Sequence, residues 1–288
     1  MSSDPLITVA MPVRNCEDTV GRAIASILAQ TEPQFELVII DDGSNDGTRE
    51  VVARFDDSRI RLLEGDRSRG LPARLNEIVC TARGRYIARM DGDDFSYPER
   101  FARQIAFLEA NASVDLLGAS VIAFKSSGEP IGAFGVETSH AAICRQPELG
   151  FGIPHPTWMG RTAWFARHPY PESARRAQDQ ALLTAAYKAS TFANLPEPLL
   201  GYHQDIPTLQ SIIGGRWHHG RAIARHAMAT GDWGLLAAGV GQQAVRAALT
   251  VPPVLMGQGD AILTRRFRAL AAGEREQFLA VMATLESG

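Results

Sequence analysis

Ile87-Ala88-Arg89-Met90-Asp91-Gly92-Asp93-Asp94 is the stretch around which the chain is organised, because three carboxylates follow directly on an apolar, strand-like run. Carboxylates this close repel one another unless water screens them or a cation neutralises them. Mg²⁺ or Mn²⁺ held by one or two carboxylates and by substrate phosphates is the ordinary use of such a cluster. Gly92 leaves the backbone room to turn, so the stretch predicts a metal site built on Asp91 and Asp93.

The same stretch has a structural alternative, an acidic turn that leads into a helix. Ser96 would cap that helix, Pro98 would lie in its first turn and Glu99 would complete the capping box. This alternative explains the residues after Asp94 but leaves Asp91 and Asp93 without a role. A D-x-D pattern alone is weak, so both interpretations stand at this point.

Working outward, apolar runs alternate with helical patterns through the first third of the chain. Four runs predict strands, at Leu6–Met11, Phe35–Ile40, Ile60–Leu63 and Tyr86–Met90. Strands that alternate with helices indicate an α/β fold with a mostly parallel, Rossmann-like central sheet flanked by helices. Pro12 cannot donate a hydrogen bond to a neighbouring strand, so the first strand is predicted to end there.

Polar side chains follow the predicted strand ends. In open parallel sheets, ligands bind beyond the carboxyl ends of the strands. We therefore expect one site to collect the side chains of Asn15, Asp41, Asp42, Asp91 and Asp93. Asp42 has two open interpretations, because Asp, Asn, Ser and Gly also form ordinary turns. Its carboxylate could receive a base N–H or a ribose hydroxyl, or it could serve only the turn at Ile40–Gly47.

The rest of the chain is less regular. A proline-rich loop at Pro154–Met159 precedes a helix that opens at Gln178-Asp179, and alanine- and arginine-rich helical sequence follows from residue 206. The expected organisation is one domain over 1–205, with a nucleotide-binding half at 1–95 and a second half at 96–205. Residues 206–288 are expected to form an appended C-terminal helical segment.

Bulk composition excludes several classes of protein. The 288 residues contain 29 basic and 32 acidic residues with no long run of either sign, so no nucleic-acid partner is predicted. Three cysteines without C-x-x-C spacing indicate a reducing compartment. No secretory signal and no run of about 18 apolar residues is evident, so a cytoplasmic protein is expected. Met11–Cys16 contains no glycine, which argues against a redox dinucleotide fold and a P-loop.

Several motifs together resemble the ordered signature of family 2 glycosyltransferases, which have the GT-A fold. The resemblance covers about residues 6–205 and is most specific before residue 150. The motifs that carry it are Met11–Asn15, Val38–Ser44, Arg69-Gly70, Gly84–Ile87, Met90–Asp94, Pro154–Thr157, Gln178-Asp179 and Ala193–Tyr202.

The resemblance implies a role for each matching residue. Asp93, with Asp91, would bind Mn²⁺ or Mg²⁺, and Asp179 would be the catalytic base. Gln178 stands where the family usually has an acidic residue. His155 and Thr157 would contact the acceptor, although a histidine between prolines is equally a structural loop residue. The implied donor site comprises Pro12, Val13, Asn15, Asp41, Asp42, Arg69, Asp91 and Gly92.

The resemblance implies a metal-dependent, inverting transfer of sugar from a nucleotide-diphosphate sugar, with a UDP-sugar expected. The acceptor would be a glycan or a lipid-linked sugar in surface polysaccharide biosynthesis. Two alternatives stay open, a sugar-phosphate nucleotidylyltransferase and a catalytically silent binding module. The basic stretch Arg216–Arg221, continued by Arg225-His226, could bind the inner face of an anionic membrane. The favoured alternative is a helix that packs on the catalytic domain with its arginines in solvent.

Overall fold

The computed structural model describes residues 4–65, 67–174, 176–205, 208–257 and 259–286. The strands are β1 Ile7–Val13, β2 Phe35–Asp41, β3 Ile60–Glu64, β4 Tyr86–Arg89, β5 Phe95–Ser96, β6 Leu116–Phe124, β7 Pro130–Ala133, β8 Met159–Arg161 and β9 Phe192–His203. The helices are α1 Val20–Leu28, α2 Thr48–Val52, α3 Leu71–Thr81, α4 Arg100–Ala110, α5 His140–Ile143, α6 Thr162–Arg167, α7 Gln178–Ala186, α8 Leu209–Thr230, α9 Trp233–Leu255, α10 Gly259–Thr264 and α11 Ala272–Glu286. Short 3₁₀ turns lie at Pro147–Leu149 and His155–Thr157.

One sheet runs through the molecule in the order β3-β2-β1-β4-β8-β6-β9-β5, with β7 paired to β6. Strands β3, β2, β1 and β4 are parallel, as are β6 and β9, whereas β8 is antiparallel to both of its neighbours. Helices cover both faces. The predicted α/β class, with a mostly parallel sheet flanked by helices, is confirmed.

The continuous apolar run in β2 is explained by the helices that cover both faces of the sheet. Side chains alternate between the two faces of a strand, so a strand buried on both faces is apolar throughout. Leu37 and Ile39 pack in the core on the α1 side, and Val38 and Ile40 pack in the core on the α3 side. The sheet is thereby held rigidly between helices, and its strand ends can position side chains accurately.

Two local expectations were wrong. β1 continues through Pro12 to Val13. The carbonyl of Ala10 accepts from the Met90 N–H on the β4 side, and Pro12 faces that same side at a level where β4 has already ended. Its missing N–H therefore removes no strand pairing. Ser96 caps no helix, since it lies in β5, and the residue that precedes α4 is Glu99.

The C-terminal segment contains helices α8 to α11, and between α10 and α11 Arg268 forms an antiparallel bridge with Ala133. Residues 206 and 207, at the predicted start of the segment, lie outside the described residues. α8 and α9 form an antiparallel pair beside α7, and α11 returns to the sheet. Phe278 and Met282 of α11 pack against Phe95 and Phe124. Within the described part of the chain, no helix is both long and apolar enough to cross a membrane.

Candidate active site

A cavity of about 720 Å³ opens beyond the carboxyl ends of β1, β2 and β4. Parallel strands end at the same edge of a sheet, and this is why residues distant in sequence meet there. Of the residues expected in the donor and metal sites, Pro12, Val13, Asn15, Asp42, Asp91, Gly92 and Asp93 line this cavity. We call it the nucleotide-side cavity.

Gly92 lies at a crowded point of this edge. A Cβ atom at position 92 would lie 3.0 Å from Val13 Cγ1 and 3.1 Å from Cys16 Sγ. Both neighbours belong to the end of β1 and the loop that follows it. The absence of a side chain therefore lets the acidic turn pack directly against the end of β1.

An acidic cluster lies at the floor of this cavity. Carboxylate oxygens of Asp91, Asp93 and Asp94 lie within 4.8 Å of one another. Arg89 forms a bidentate ion pair with Asp91, and the side chain of Asp93 is 47% exposed. Among the described residues, the cationic Arg89 and the imidazole of His203 face these three carboxylates, and a cluster this acidic could hold a divalent cation.

Asp94 is the member of the cluster that the sequence did not single out as a site residue. It is fully buried, and its Oδ1 accepts from the His203 N–H at 2.8 Å. Its Oδ2 has no hydrogen-bond partner among the described residues. Burial, followed by the charges of Asp93 and Asp91, raises the pKa of Asp94 well above its ordinary value. An unpaired buried carboxylate oxygen beside two other carboxylates fits a metal ligand or a residue that supports one.

His203, at the end of β9, also reaches this cluster and was missed. Its Nδ1 lies 3.3 Å from Asp93 Oδ2, and the hydrogen bond to Asp93 raises its pKa. The only available signal was its position directly after the Ala193–Tyr202 motif. Because β9 pairs with β6 and β5 rather than with β4, its end could not be placed beside Asp93 from the sequence.

Asp42 serves as the anchor of the loop that precedes α3. Its Oδ1 accepts from the Arg69 N–H and from Arg74 Nε, both at 2.7 Å. Its Oδ2 accepts from Ser68 Oγ at 2.8 Å and from the Gly70 N–H at 2.9 Å. Burial would raise the pKa of Asp42, but these four donors together hold it below its ordinary value. The geometry favours the turn-stabilising interpretation of Asp42, although the residue also lines the nucleotide-side cavity.

We expect Asp42→Asn to lower the free energy of unfolding by about 3 kcal/mol, because the buried Arg74 guanidinium keeps Glu77 but loses the charged acceptor at its Nε. Chemical denaturation measures this loss. Ser68→Ala removes one of the four donors and should cost about 1.5 kcal/mol. UDP affinity measured on the same variants tests base recognition, which predicts a loss of roughly ten- to a hundredfold for Asp42→Asn only. Unchanged stability in Asp42→Asn would contradict the anchoring role.

Two of the expected donor residues do not line the nucleotide-side cavity. Asp41 is fully buried, and its carboxylate accepts hydrogen bonds from Ser44 and from Arg49. Its oxygens are therefore engaged within the protein. The side chain of Arg69 points away and pairs with Glu77 at 3.4 Å, so Arg69 contributes its backbone N–H to Asp42.

A second cavity of about 420 Å³ adjoins the first, and Asp91 and Leu71 line both. We call it the acceptor-side cavity. It is formed by loops of the second half of the chain and by the segment before α11. The polar and aromatic groups on its wall include Arg89, Asp91, His155, Asp179, Tyr202 and Arg266. Arg266 belongs to the C-terminal segment and was not predicted to reach the site.

Asp179 occupies the first turn of α7 and faces the acceptor-side cavity. Ala177, the residue before the helix, has a left-handed backbone conformation with φ 52°, which turns the chain sharply into α7. The side-chain amide of Gln180 donates to Asp179 Oδ2 at 3.1 Å and also bonds the backbone of Phe151. Asp179 is thereby oriented by its neighbour, while Asp91 lies across the same cavity.

His155 and Thr157 have different surroundings. His155 lines the acceptor-side cavity, and its Nε2 lies 2.9 Å from the hydroxyl of Tyr170. Burial and the nearby Arg89 lower the pKa of His155 well below its ordinary value, which disfavours the charged form of the ring. Thr157 is fully buried; its hydroxyl donates to Pro154 O at 2.7 Å and accepts from the Ala119 N–H at 2.9 Å. The side chain of Thr157 is enclosed in the core and does not line the acceptor-side cavity, so its expected acceptor contact has no support in this geometry.

The family profile described as Glycosyl transferase family 2 matches residues 8–165. The UDP-Glc:alpha-D-GlcNAc-diphosphoundecaprenol beta-1,3-glucosyltransferase WfgD of Escherichia coli is 38% identical over 108 residues, which cover 38% of this chain and 43% of that protein. The chain spans about half the length of the curated relatives it matches.

Solved structures show the same fold at low sequence identity. S. aureus TarS 1-349 in complex with UDP-GlcNAc matches with a TM-score of 0.64 at 18% identity, over 97% of this chain and 80% of that one. The mannosyltransferase PcManGT of Pyrobaculum calidifontis, in complex with GDP-Man and Mn²⁺, matches with a TM-score of 0.57 at 16% identity. The match covers 99% of this chain and 88% of that chain. The chain has the GT-A fold. It belongs to glycosyltransferase family 2.

Proposed function

We propose that this chain is a metal-dependent inverting glycosyltransferase that uses a nucleotide-diphosphate sugar. The observation that carries the proposal is the position of Asp91. It lies between two adjoining cavities, one lined by the acidic cluster and the other by Asp179. A sugar held at this boundary would have its diphosphate on one side and a basic carboxylate on the other.

The nucleotide-side cavity suits the donor. Its wall combines the backbone of Pro12 and Val13 with polar groups of Asn15 and Asp42. Such a wall can hold a base and ribose by backbone and side-chain hydrogen bonds. A UDP-sugar is favoured, because WfgD is named for UDP-Glc and the TarS structure contains UDP-GlcNAc.

The metal ligands proposed here are Asp93 and Asp91, with Asp94 and His203 beside them. Mn²⁺ or Mg²⁺ is the expected ion, since oxygen ligands suit both and the PcManGT complex contains Mn²⁺. A divalent ion neutralises the negative charge that develops on the leaving diphosphate. The acidic cluster described above would give the site its affinity for such an ion.

Asp179 is the proposed general base. A carboxylate on the acceptor side can take the proton of an attacking hydroxyl, and a single base is enough for a direct displacement with inversion. The ring of His155 and the hydroxyl of Tyr202 would help to orient the acceptor sugar. The proposed acceptor is a glycan or lipid-linked sugar in surface polysaccharide biosynthesis, in line with the name of WfgD. The proposed location is the cytoplasm.

A nucleotide-sugar screen tests this function. A ligand that binds only the native state raises the melting temperature by mass action. We expect UDP and a UDP-sugar to raise it more with Mn²⁺ than with a chelator, and the matching UDP-sugar to be hydrolysed slowly when no acceptor is present. Binding without any hydrolysis or transfer would favour a silent binding module. No stabilisation by any nucleotide would contradict the proposal.

A further inference from the structure

Arg266 brings to the wall of the acceptor-side cavity a cation that is available to a ligand. The residue follows α10 and is exposed. Within the described part of the chain, no acidic residue forms an ion pair with its guanidinium. Arg89, on the same wall, is already paired with Asp91. The hydrogen-bond donors of Arg266 can therefore be given to a bound molecule.

The backbone beside Arg266 is fixed to β7. The Ala133 N–H donates to Arg268 O and the Arg268 N–H donates to Ala133 O, both at 2.9 Å. The ring of Phe267 packs edge-on against that of Phe134, with 6.2 Å between their centroids. A charged group carried on an ordered backbone loses less conformational freedom when it binds a ligand. The position of Arg266 is thus suited to selective binding.

Two further guanidiniums lie near Arg266. Arg216 of α8 donates to the Thr250 hydroxyl at 2.6 Å, and Arg246 of α9 donates to the Leu149 carbonyl at 2.9 Å. Both acceptors are neutral, and α8 and α9 contain no acidic residue, so these contacts leave the two charges uncompensated. Burial, followed by the charges of Arg246 and Arg266, lowers the pKa of Arg216. The three arginines therefore form one cationic cluster.

The cationic cluster adjoins the acceptor-side cavity. Leu149, which accepts from Arg246, lies two residues before Phe151, and Phe151 lines this cavity together with Arg266. Like charges held this close repel one another, and an anion among them removes the repulsion. The negative charge of Asp179 would disappear when this residue takes the proton of the acceptor. An anionic group on the bound molecule would then balance the cluster.

We propose that Arg266, supported by Arg216 and Arg246, binds an anionic group of the acceptor, either a phosphate or a sugar carboxylate. This inference rests on the proposed function, which assigns the cavity to the acceptor. A guanidinium can donate two parallel hydrogen bonds to either group. Of the three arginines, Arg266 lines the cavity and would make the contact, while the other two strengthen the local positive field.

The cationic cluster also gives a role to part of the basic stretch Arg216–Arg221, for which the sequence suggested membrane binding. Arg216, the first residue of this stretch, is bonded to Thr250 of the neighbouring helix. His219, in the middle of the stretch, is buried. This part of the stretch therefore faces the protein, in agreement with the packing alternative.

Calorimetric titration of the full chain with three sugars tests the proposal. Glucose 1-phosphate carries a phosphate, glucuronate carries a carboxylate, and glucose is the neutral control. Each titration is made with and without saturating UDP and Mn²⁺, so that binding at the donor site can be recognised. We expect at least one anionic sugar to bind at least about tenfold more tightly than glucose, because it gains hydrogen bonds to a charged group. A preference for glucose 1-phosphate assigns the group to a phosphate, and a preference for glucuronate assigns it to an acidic sugar.

Three variants identify the residue responsible. Arg266→Ala should remove most of the preference for the anionic sugar, and Arg266→Lys should retain part of it, because the charge is kept and the planar fork is lost. Arg265→Ala is the matched control, since Arg265 is exposed and does not line either cavity. Arg265→Ala should bind all three sugars like the unmodified chain. UDP affinity should be unchanged in every variant, because Arg266 does not line the nucleotide-side cavity.

Three results would overturn the proposal: no preference for either anionic sugar over glucose in the unmodified chain, equal losses in Arg265→Ala and Arg266→Ala, or complete displacement of the anionic sugar by UDP. The last result would assign its binding to the donor site. If UDP fails to bind while binding of the anionic sugar depends on Arg266, the proposed function fails and the anion site stands. Normal UDP binding without an anion preference has the opposite meaning.

Discussion

Asp179→Asn is expected to reduce turnover by roughly 10²–10⁴-fold while UDP affinity stays within about twofold of the unmodified enzyme. The substitution keeps the size and shape of the side chain but removes its ability to accept a proton. Asp179 lines the acceptor-side cavity and does not line the nucleotide-side cavity, so the substitution should leave the binding of the donor nucleotide unchanged. Steady-state transfer rates and calorimetric titration with UDP measure the two quantities.

Asp56→Asn is the control for this experiment. Asp56 is exposed and lies before β3, at the opposite end of the strands from both cavities, so its removal should leave turnover and UDP affinity unchanged. If UDP affinity collapsed together with turnover in Asp179→Asn, the residue would have to be assigned to the donor site or to the structure of the α7 turn. Full turnover in the variant would exclude it as the base.

Asp93→Ala should reduce transfer by roughly 10²–10³-fold and remove the effect of Mn²⁺ on UDP binding. The Asp93 carboxylate is the most exposed of the acidic cluster and is therefore the one best placed to bind an ion together with a diphosphate. UDP affinity measured with Mn²⁺ and with a chelator isolates the role of the metal. In the unmodified chain the two affinities should differ clearly, and in the variant they should coincide.

Loss of a metal ligand must be separated from loss of fold. Half of the Asp93 side chain is in solvent, and its protein contact is the 3.3 Å approach to His203 Nδ1, so unfolding should occur at nearly the same denaturant concentration. Asp56→Ala again serves as the control. If the Asp93→Ala variant still bound UDP more tightly with Mn²⁺ than without it, the assignment of Asp93 as a metal ligand would be contradicted. Asp94 would then become the leading candidate ligand.

The sequence by itself determined the sheet and the edge at which the site forms. Apolar runs such as Phe35–Ile40 predict strands covered on both faces, and the helices between them require parallel neighbours. Parallel strands end at one edge, so Asn15, Asp42, Asp91 and Asp93 were expected to meet, and they line one cavity. This convergence follows from connectivity alone and needs no knowledge of side-chain packing.

Only the tertiary structure decided which side chains are free to act. The pairing of β9 with β6 and β5 brings His203 to Asp93, and no local pattern specifies that pairing. The four donors around Asp42 come from a loop and a helix whose close packing gives no periodic signal. Thr157 likewise has the chemistry of an acceptor contact, but packing encloses it.

The same limit applies to α9. Its composition predicts a helix, and Gln243 and Arg246 would ordinarily mark its solvent face. In the structure these two side chains instead donate to the carbonyls of Glu148 and Leu149, and the apolar face is exposed. A helix presents the same periodic pattern whichever face is buried. The orientation depends on the hydrogen-bond acceptors of the neighbouring loop, and only the folded chain brings that loop beside the helix.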